Sequence, residues 1–229
     1  MRMAIIKLSA LGDIVHAMVV LQFIKKFNQE ILIDWFVEES FRGLLEFNPD
    51  INKVHLINIR NAKNQKSISA LISEFQKVRK LESYDLVIDM QGLIKSAIIS
   101  KLIPSKLTVG FDKFSVREKF SSTFYNKTFK CSYETNIIQR NVALIEYALG
   151  LRVGINEIRD KVSFLYSGKQ KLSIKLTNSK KNIVIIPGAS HASKRYPVSK
   201  LVEITKLIDA NYYIIWGCLL YTSPSPRDG

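Results

Sequence analysis

Polar side chains follow two apolar segments of this sequence, at the points where each segment would end as a β-strand. Asp13 lies in the turn that joins a first apolar run, residues 3–8, to an apolar helix. The end of a second run carries Asp89, Gln91 and Lys95. Because the carboxyl ends of parallel strands border one ligand crevice, we expect both groups to face that crevice.

Asp13 has two physical interpretations, and they are compatible. A carboxylate just before Ile14 can accept hydrogen bonds from the free N–H groups of a helix start and meets the positive end of the helix dipole, which stabilises the helix by roughly 0.5–2 kcal/mol. The same carboxylate, at the mouth of the crevice, can act as a general base. The cap is the commoner role for such a residue. Asp89 is the next candidate for the base, because it ends the neighbouring strand over the same crevice.

Strand and helix patterns alternate through the first half of the chain. Apolar residues recur at helical spacing in some segments and form short continuous runs in others. This alternation predicts an α/β fold with a parallel sheet and helices on both faces. The predicted strands are residues 3–8, 31–37, 54–59 and 84–90, and the predicted helices are residues 14–27, 41–47, 68–81 and 93–102.

The second half has a less regular pattern. Residues 111–125 are aromatic and charged without a clean period, and the predicted helix 136–149 places Arg140 in an apolar stripe. An arginine there is more often a snorkelling or paired surface residue than a ligand. The polar stretch 168–181 is predicted to be a domain linker. A second βα series follows it, with strands at 182–186 and 212–216, a turn at 187–190 and a helix at 198–208.

The carboxyl terminus departs from that second series. Residues 218–229 are rich in Ser and Pro and have no apolar period, so they cannot continue a βα repeat. We therefore expect a truncated reading frame or foreign sequence from about residue 218 onward.

The length of the chain limits the number of domains, and its net charge limits the kinds of partner. The chain has 229 residues, 47% of them hydrophobic, and a formal net charge of +14. That length suffices for one full α/β domain and part of another. The charge implies an anionic partner, which is a nucleic acid, an acidic membrane surface or a phosphorylated substrate. No nucleic-acid reading element and no interleaved stacking aromatics stand out, so nucleic acid is the least favoured of the three.

Targeting signals and cysteine chemistry are not evident in the sequence. No apolar run approaches the roughly 18 residues of a membrane span, and no signal-peptide pattern opens the chain. We therefore expect a cytoplasmic protein. Cys131 and Cys218 are too few and too far apart in sequence for a disulfide framework or a zinc site, and are expected to be inert thiols.

Three motifs together resemble a known family. Residues 7–16 are KLSALGDIVH, residues 89–96 are DMQGLIKS and residues 187–197 are PGASHASKRYP. They are similar to motifs of the lipopolysaccharide heptosyltransferases of glycosyltransferase family nine, and most of all to those of heptosyltransferase I. The resemblance implies two Rossmann-like domains of the GT-B type. Residues 1–167 would form the acceptor domain, and residues 168–217 would form the linker and the start of an incomplete donor domain.

The resemblance also implies roles for particular residues. Asp13 would be the catalytic base, while Ser190 and Lys194 would hold the diphosphate of ADP-heptose. On spacing alone, a solvated lysine in a surface loop is an equally good interpretation of Lys194. Carboxylates and phosphates of an acceptor call for guanidinium and ammonium groups. The residues expected to line the acceptor site are Lys7, Ser9, Gly12, Arg60, Asp89, Gln91, Lys95, Arg117, Glu118 and Arg140.

The function implied by the resemblance is inverting transfer of a heptose from ADP-heptose to the Kdo of Kdo-lipid A, in lipopolysaccharide inner-core synthesis. Such an enzyme would work in the cytoplasm at the inner-membrane surface, without a metal or other cofactor and without nucleic acid. The family's remaining donor-site residues have no counterpart after Gly217, so this chain is expected to lack part of the donor site. The alternative is a non-catalytic basic α/β module that binds anionic lipid, with Asp13 serving only as a helix cap.

Overall fold

A six-stranded parallel sheet organises the amino-terminal part of the chain. The structure is a computed structural model and describes residues 1–59, 67–168, 176–188, 193 and 195–215. The chain divides into two units, Met1–Gln170 and Lys171–Gly229. The strands of the first unit are β1 (Arg2–Ile6), β2 (Leu32–Glu38), β3 (Lys53–Ile57), β4 (Leu86–Asp89), β5 (Thr108–Phe111) and β6 (Lys127–Phe129).

The strand order is β3-β2-β1-β4-β5-β6, and all neighbours are parallel. The chain therefore winds outward from β1 in one direction and from β4 in the other. In a doubly wound sheet of this order, the point where the winding reverses leaves a crevice at the carboxyl ends of the two central strands. That point lies between β1 and β4, the two strands whose ends carry the polar motifs.

Helices cover both faces of the sheet, as the alternating pattern predicts. Successive residues of β1 enter different cores: Met3 and Ile5 belong to one buried cluster, Ala4 and Ile6 to the other. A strand buried on both faces must be apolar throughout, which explains its unbroken apolar run. The helices of the first unit are α1 (Leu11–Met18), α2 (Val20–Phe27), α3 (Ile68–Arg79), α4 (Ile94–Leu102), α5 (Ile137–Leu149) and α6 (Ile155–Arg159).

Several features of this unit differ from the predicted elements. The first helix begins at Leu11 rather than Ile14 and is divided at Val19 into α1 and α2. The patch predicted as a helix at 41–47 is a short 3₁₀ turn, Glu39–Leu44. Strands β5 and β6 were not predicted, because they have only four and three residues and give too short an apolar period to detect.

The second unit contains a pair of parallel strands and one helix in its described part. These are β7 (Lys181–Ile185), helix α7 (Val198–Leu207) and β8 (Ala210–Ile214). The predicted strand at 212–216 thus begins two residues earlier. Large apolar side chains of this unit are exposed, among them Val184, Val198 and Leu207. None of the helices in the described ranges of the chain is long and apolar enough to span a bilayer.

A candidate active site at the carboxyl edge of the sheet

A cavity of about 410 Å³ lies where the winding reverses, outside the carboxyl ends of β1 and β4. The turn from β4 to α4 and the start of α1 form its floor, and the segment after β5 and the start of α5 form the facing wall. Its lining residues are Lys7, Asp13, His16, Met90, Gln91, Gly92, Leu93, Phe111, Ser115, Val116, Arg117, Tyr133, Thr135, Ile137 and Arg140.

Asp13 occupies the third position of α1, within the first turn rather than before it. Its Oδ2 accepts a hydrogen bond from the N–H of Ala10 at 3.4 Å, and the residue is exposed at the rim of the cavity. Ala10, the residue that precedes the helix, has no side-chain acceptor of its own. Asp13 therefore satisfies part of the helix start and still presents a solvent-accessible carboxylate to the cavity.

Lys7 is a buried cation directly after β1. Its Nζ donates to the carbonyl oxygen of Met90 at 3.0 Å, which links the ends of β1 and β4. Burial lowers the pKa of Lys7, the carboxylates of Asp13 and Asp89 act to raise it, and the cation of Arg140 lowers it further. Burial is thus the main cause of the lowered pKa, and an anionic ligand in the cavity would raise that pKa and stabilise the ammonium form.

Arg140 is buried, which corrects the expectation of a snorkelling or surface arginine. Its guanidinium donates to the carbonyl oxygens of Ser132 at 3.0 Å and Ser115 at 2.6 Å. It lies between the rings of Phe111 and Tyr133, at 4.8 and 4.9 Å from their centroids. Its Nε has no hydrogen-bond partner in the described part of the chain. The tertiary packing of α5 against β5 thus turns this arginine inward, to the cavity wall.

Arg117 lines the same cavity but is exposed, on the segment after β5. Together with Lys7 and Arg140 it places three cationic side chains around one space that Asp13 also borders. Lys7 and Asp13 share one sequence motif, whereas Arg117 and Arg140 lie far from that motif in the chain. The sheet topology brings them together.

Ser9, Gln91 and Lys95 form a hydrogen-bond network that joins the two strand ends. The Oε1 of Gln91 accepts the N–H groups of Leu8 and Ser9, at 2.9 and 3.2 Å. The Nζ of Lys95 donates to the Oγ of Ser9 at 3.2 Å and to Glu38 at 2.9 Å. Gln91 lines the cavity, whereas Ser9 and Lys95 lie outside its lining. This network holds the segment between β1 and α1, which leads into the helical turn that carries Asp13.

Asp89 is fully buried beneath this network and does not line the cavity. Its Oδ1 accepts the N–H groups of Gln91 and Gly92 at 2.8 and 3.2 Å, and its Oδ2 accepts the hydroxyl of Tyr125 at 2.8 Å. Burial raises the pKa of Asp89, although hydrogen bonds from Ser96, Gln91, Tyr125 and Gly92 oppose the rise. Asp89 therefore holds the turn from β4 to α4, and the expectation that it is the next candidate for the base is not supported by its position.

The remaining predicted site residues fall into two groups. Glu118 does not line the cavity, and its Oε2 accepts the N–H of Ile94 at the first position of α4, at 2.6 Å. Gly12 is exposed in the first turn of α1 and does not line the cavity either. Three predicted residues lie outside the described ranges: Arg60, Ser190 and Lys194.

The structure adds lining residues that the sequence interpretation assigned no role. His16 follows Asp13 by three positions on α1, and residues at that spacing share a helix face, so the sequence did hold this signal. Ser115 and Tyr133 come from irregular segments, and no periodicity could have placed them at the cavity. In the described residues, no group of three or more His, Cys, Asp or Glu side chains has the arrangement of a metal site.

The profile of Glycosyltransferase family 9 (heptosyltransferase) matches residues 72–219, more than half of the chain. Lipopolysaccharide heptosyltransferase 1 of Campylobacter coli is 40% identical over 233 residues, covering 96% of this chain and 65% of that protein. The protein of the same name from Escherichia coli K12 is 30% identical over 153 residues, covering 66% of this chain and 48% of that protein. The chain thus spans between about half and two thirds of the length of these relatives.

Solved structures show the same fold. E. coli heptosyltransferase WaaC with ADP gives a TM-score of 0.73 at 24% identity, covering 95% of this chain and 67% of that chain. E. coli ADP-heptose lps heptosyltransferase II gives a TM-score of 0.64 at 19% identity, covering 93% and 63%. The predicted fold class, α/β of the GT-B type, is confirmed. On the evidence of the family profile, the chain belongs to glycosyltransferase family 9, the heptosyltransferases.

Proposed function

We propose that the chain takes part in inverting transfer of a heptose from ADP-heptose to a Kdo sugar of Kdo-lipid A, at the cytoplasmic side of the inner membrane. The first unit would bind the acceptor and the second the donor. Membership of the heptosyltransferase family supports the reaction type. The relatives named heptosyltransferase 1 are longer than this chain. The proposed activity is therefore that of a protein of their length.

The observation that carries the proposal is one accessible carboxylate beside three cations in a single cavity. Asp13 borders this space together with Lys7, Arg117 and Arg140. A Kdo sugar carries a carboxylate, and lipid A carries phosphates. Ammonium and guanidinium groups bind such anions through charge-assisted hydrogen bonds, which are about twice as strong as neutral ones. The cations would hold the acceptor while its hydroxyl faces Asp13.

Asp13 would then act as the general base. It takes the proton of the acceptor hydroxyl as the hydroxyl oxygen forms a bond to the anomeric carbon of the heptose. The bond between that carbon and the diphosphate oxygen breaks, and ADP leaves with the electron pair from the opposite face. Attack from the opposite face inverts the configuration at the anomeric carbon. A positioned general base typically contributes about 10²–10⁴ in rate.

The donor is proposed from relatives and from the sequence. WaaC has been solved with ADP and with ADP-2-deoxy-2-fluoro heptose. By resemblance, Ser190 and Lys194 of this chain would hold the diphosphate, where a cation can neutralise the departing ADP without a metal. No other cofactor is required by this scheme.

The test is the substitution Asp13→Asn in a chain extended to the length of its relatives. Asn keeps an oxygen that can accept the N–H of Ala10, so the free energy of unfolding should stay within about 1 kcal/mol of the parent. It cannot accept a proton, so kcat should fall at least ~10²-fold with little change in KM.

Near-parental turnover of Asp13→Asn would show that the base lies elsewhere. His16 would then be the first residue to examine, because it is the other exposed titratable side chain on the α1 side of the cavity lining. A chain that binds anionic vesicles but neither ADP-heptose nor a Kdo-bearing acceptor analogue would favour the non-catalytic module instead.

A further inference from the structure

Two large aromatic side chains are exposed on the segment that forms one wall of the cavity. Phe114 is 66% exposed and Phe120 is 64% exposed. They lie on either side of Arg117, in the connection from β5 to β6. An exposed phenylalanine costs free energy because its apolar surface remains in contact with water. Two such residues on one segment beside a binding cavity indicate a surface that a partner covers.

Lysines accompany both phenylalanines, in space at Phe114 and in sequence at Phe120. The Nζ of Lys113 is 5.1 Å and that of Lys130 is 6.0 Å from the ring centroid of Phe114, and Lys119 precedes Phe120 in the chain. Within the described ranges, none of these three lysines forms an ion pair with a carboxylate. Their charges are therefore available to an external anion.

The nearby carboxylates are engaged with the protein itself. Asp112 accepts the hydroxyl of Ser115 at 2.5 Å and the N–H of Phe114 at 3.2 Å. Glu118 accepts the N–H of Ile94. Each of these acidic groups has a partner within the protein, and in the described residues neither forms an ion pair with one of the three lysines.

The backbone of this segment is fixed against the cavity. The carbonyl of Ser115 accepts from Arg140, and the hydroxyl of Ser121 donates to the carbonyl of Gly92 at 3.3 Å. The side chain of Val116 packs against Gly92 so closely that a Cβ there would lie 2.5 Å from it. The segment that carries the two rings is thus held in place by contacts with the rest of the unit.

We propose that this surface, formed by Lys113, Phe114, Lys119, Phe120 and Lys130, docks the protein onto an anionic phospholipid membrane. The rings would enter the interfacial region, where amphipathic and aromatic groups bind, and the lysines would lie among anionic head groups. The inference rests on the proposed function, and it deepens that function by orienting the cavity toward the lipid that carries the acceptor.

The experiment uses the 229-residue chain and vesicles made only of phosphatidylglycerol and phosphatidylcholine, with pure phosphatidylcholine for comparison. We expect the chain to co-sediment with the anionic vesicles. The double variant Phe114→Ser/Phe120→Ser keeps every charge and should bind at least ~10-fold more weakly, since buried apolar area contributes strongly to interfacial binding. Circular dichroism would verify that the variant folds, as expected for two exposed positions.

Phe27→Ser is the matched control. Phe27 is 54% exposed and follows two lysines, but it ends α2 and lies outside the cavity lining. This variant should bind like the parent. Equal weakening by Phe27→Ser, unchanged binding of the double variant, or no binding to anionic vesicles would each overturn the proposal. If the double variant also bound a single-stranded RNA more weakly than the parent, by the same factor as it binds vesicles, the proposal would be overturned in favour of a nucleic-acid surface.

The vesicles contain neither the donor nor the acceptor sugar, so vesicle binding and heptose transfer fail independently. Asp13→Asn should bind these vesicles like the parent while losing transfer in the longer chain. Vesicle binding without any transfer activity would reject the proposed function and leave the docking surface in place. Transfer activity without vesicle binding would reject the docking surface alone.

Discussion

At the scale of single residues, burial distinguishes two arginines of the cavity, because the buried one also packs against the protein and the exposed one does not. Arg140 is buried, and its guanidinium holds two backbone carbonyls and two aromatic rings. Arg117 is exposed, and no side-chain partner stabilises it in the described structure. Both line the cavity. Only Arg117 can be removed without also removing packing, so it is the cleaner probe of ligand binding.

Arg117→Ala should weaken the binding of a Kdo-bearing acceptor analogue by about tenfold and reduce its dependence on salt, because one charge-assisted contact is lost. The free energy of unfolding should change by no more than about 0.5 kcal/mol, as for most exposed positions. Calorimetric titration at two salt concentrations measures the binding.

Arg152→Ala is the control for Arg117→Ala. Arg152 is an exposed arginine that follows α5 and does not line the cavity, so its removal makes the same change in net charge. Affinity should be unchanged in this variant. If both substitutions weaken binding equally, the cavity has no special role and the acceptor responds only to the net charge of the chain.

At the scale of elements, the turn from β4 to α4 holds the cavity floor in place. One carboxylate oxygen of Asp89 accepts hydrogen bonds from the N–H groups of Gln91 and Gly92 in this turn, and the other accepts the hydroxyl of Tyr125. The ring of Tyr125 also packs directly on Gly110 of β5, which leaves no room for a side chain there. The polar end of β4 is thus a supporting structure for the residues that face the ligand.

Gly92→Ala should destabilise this turn by about 1–3 kcal/mol, measured by urea unfolding. Gly92 has a φ of +69°, which L-residues adopt at a cost, and its Cβ would lie 2.5 Å from Val116. Adding Val116→Ala should restore the stability lost to the steric clash, but not the stability lost because alanine adopts a positive φ at a cost. Equal stability of Gly92→Ala and the parent would mean that the turn adapts freely.

A second buried polar cluster joins the amino-terminal ends of the strands, at the edge opposite the cavity. Asp34 of β2 accepts hydrogen bonds from Arg2 at 2.8 Å, Tyr84 at 2.7 Å and Asn52 at 2.7 Å, and it lies 3.3 Å from His55. Burial acts to raise the pKa of Asp34, but the hydrogen bonds from His55, Asn52, Tyr84 and Arg2 outweigh it. The pKa of Asp34 therefore lies well below its ordinary value.

Asp34→Asn should lower the free energy of unfolding by about 2–4 kcal/mol at pH 7, because it leaves buried partners of the carboxylate unpaired. A depressed folded-state pKa gives stability that is present above the unfolded pKa of about 3.9 and is lost as pH falls. The difference between parent and variant should therefore shrink between about pH 5 and pH 2. A difference that stays constant over this range, in urea unfolding, would contradict the assignment.

At the scale of the whole molecule, the two units differ in how much apolar surface they bury. The centre of the first unit, β1 and β4, is covered on both faces. In the described part of the second unit, large apolar side chains such as Val184, Leu207 and Ile214 are exposed. A parallel pair of two strands has few internal contacts to stabilise it.

Hydrogen exchange should reveal this difference. Amides of β1 and β4 should exchange slowest in the chain, through global unfolding of the first unit, while amides of β7 and β8 should exchange at least ~10²-fold faster. Mass spectrometry of peptic fragments measures both in one experiment. Equal protection of the two strand pairs would show that the second unit is stabilised by contacts beyond those of its described residues.

The sequence alone determined the features that depend on local periodicity and composition. Continuous apolar runs such as that of β1 indicated strands buried on both faces, and their alternation with amphipathic segments predicted the parallel sheet. The motifs around Asp13 and Asp89 predicted two polar strand ends at one crevice. Local signals sufficed there, because side-chain period follows directly from backbone geometry and the winding of parallel strands is strongly constrained.

Only the tertiary structure decided which of those polar residues face the cavity. It buried Asp89 beneath Tyr125 and paired Lys95 with Glu38, while it turned Arg140 inward between two rings. These outcomes depend on contacts between residues that are far apart in sequence, and on burial, which no local pattern records. The short strands β5 and β6 also stayed hidden in the sequence, since pairing with longer neighbours, rather than their own three or four residues, stabilises them.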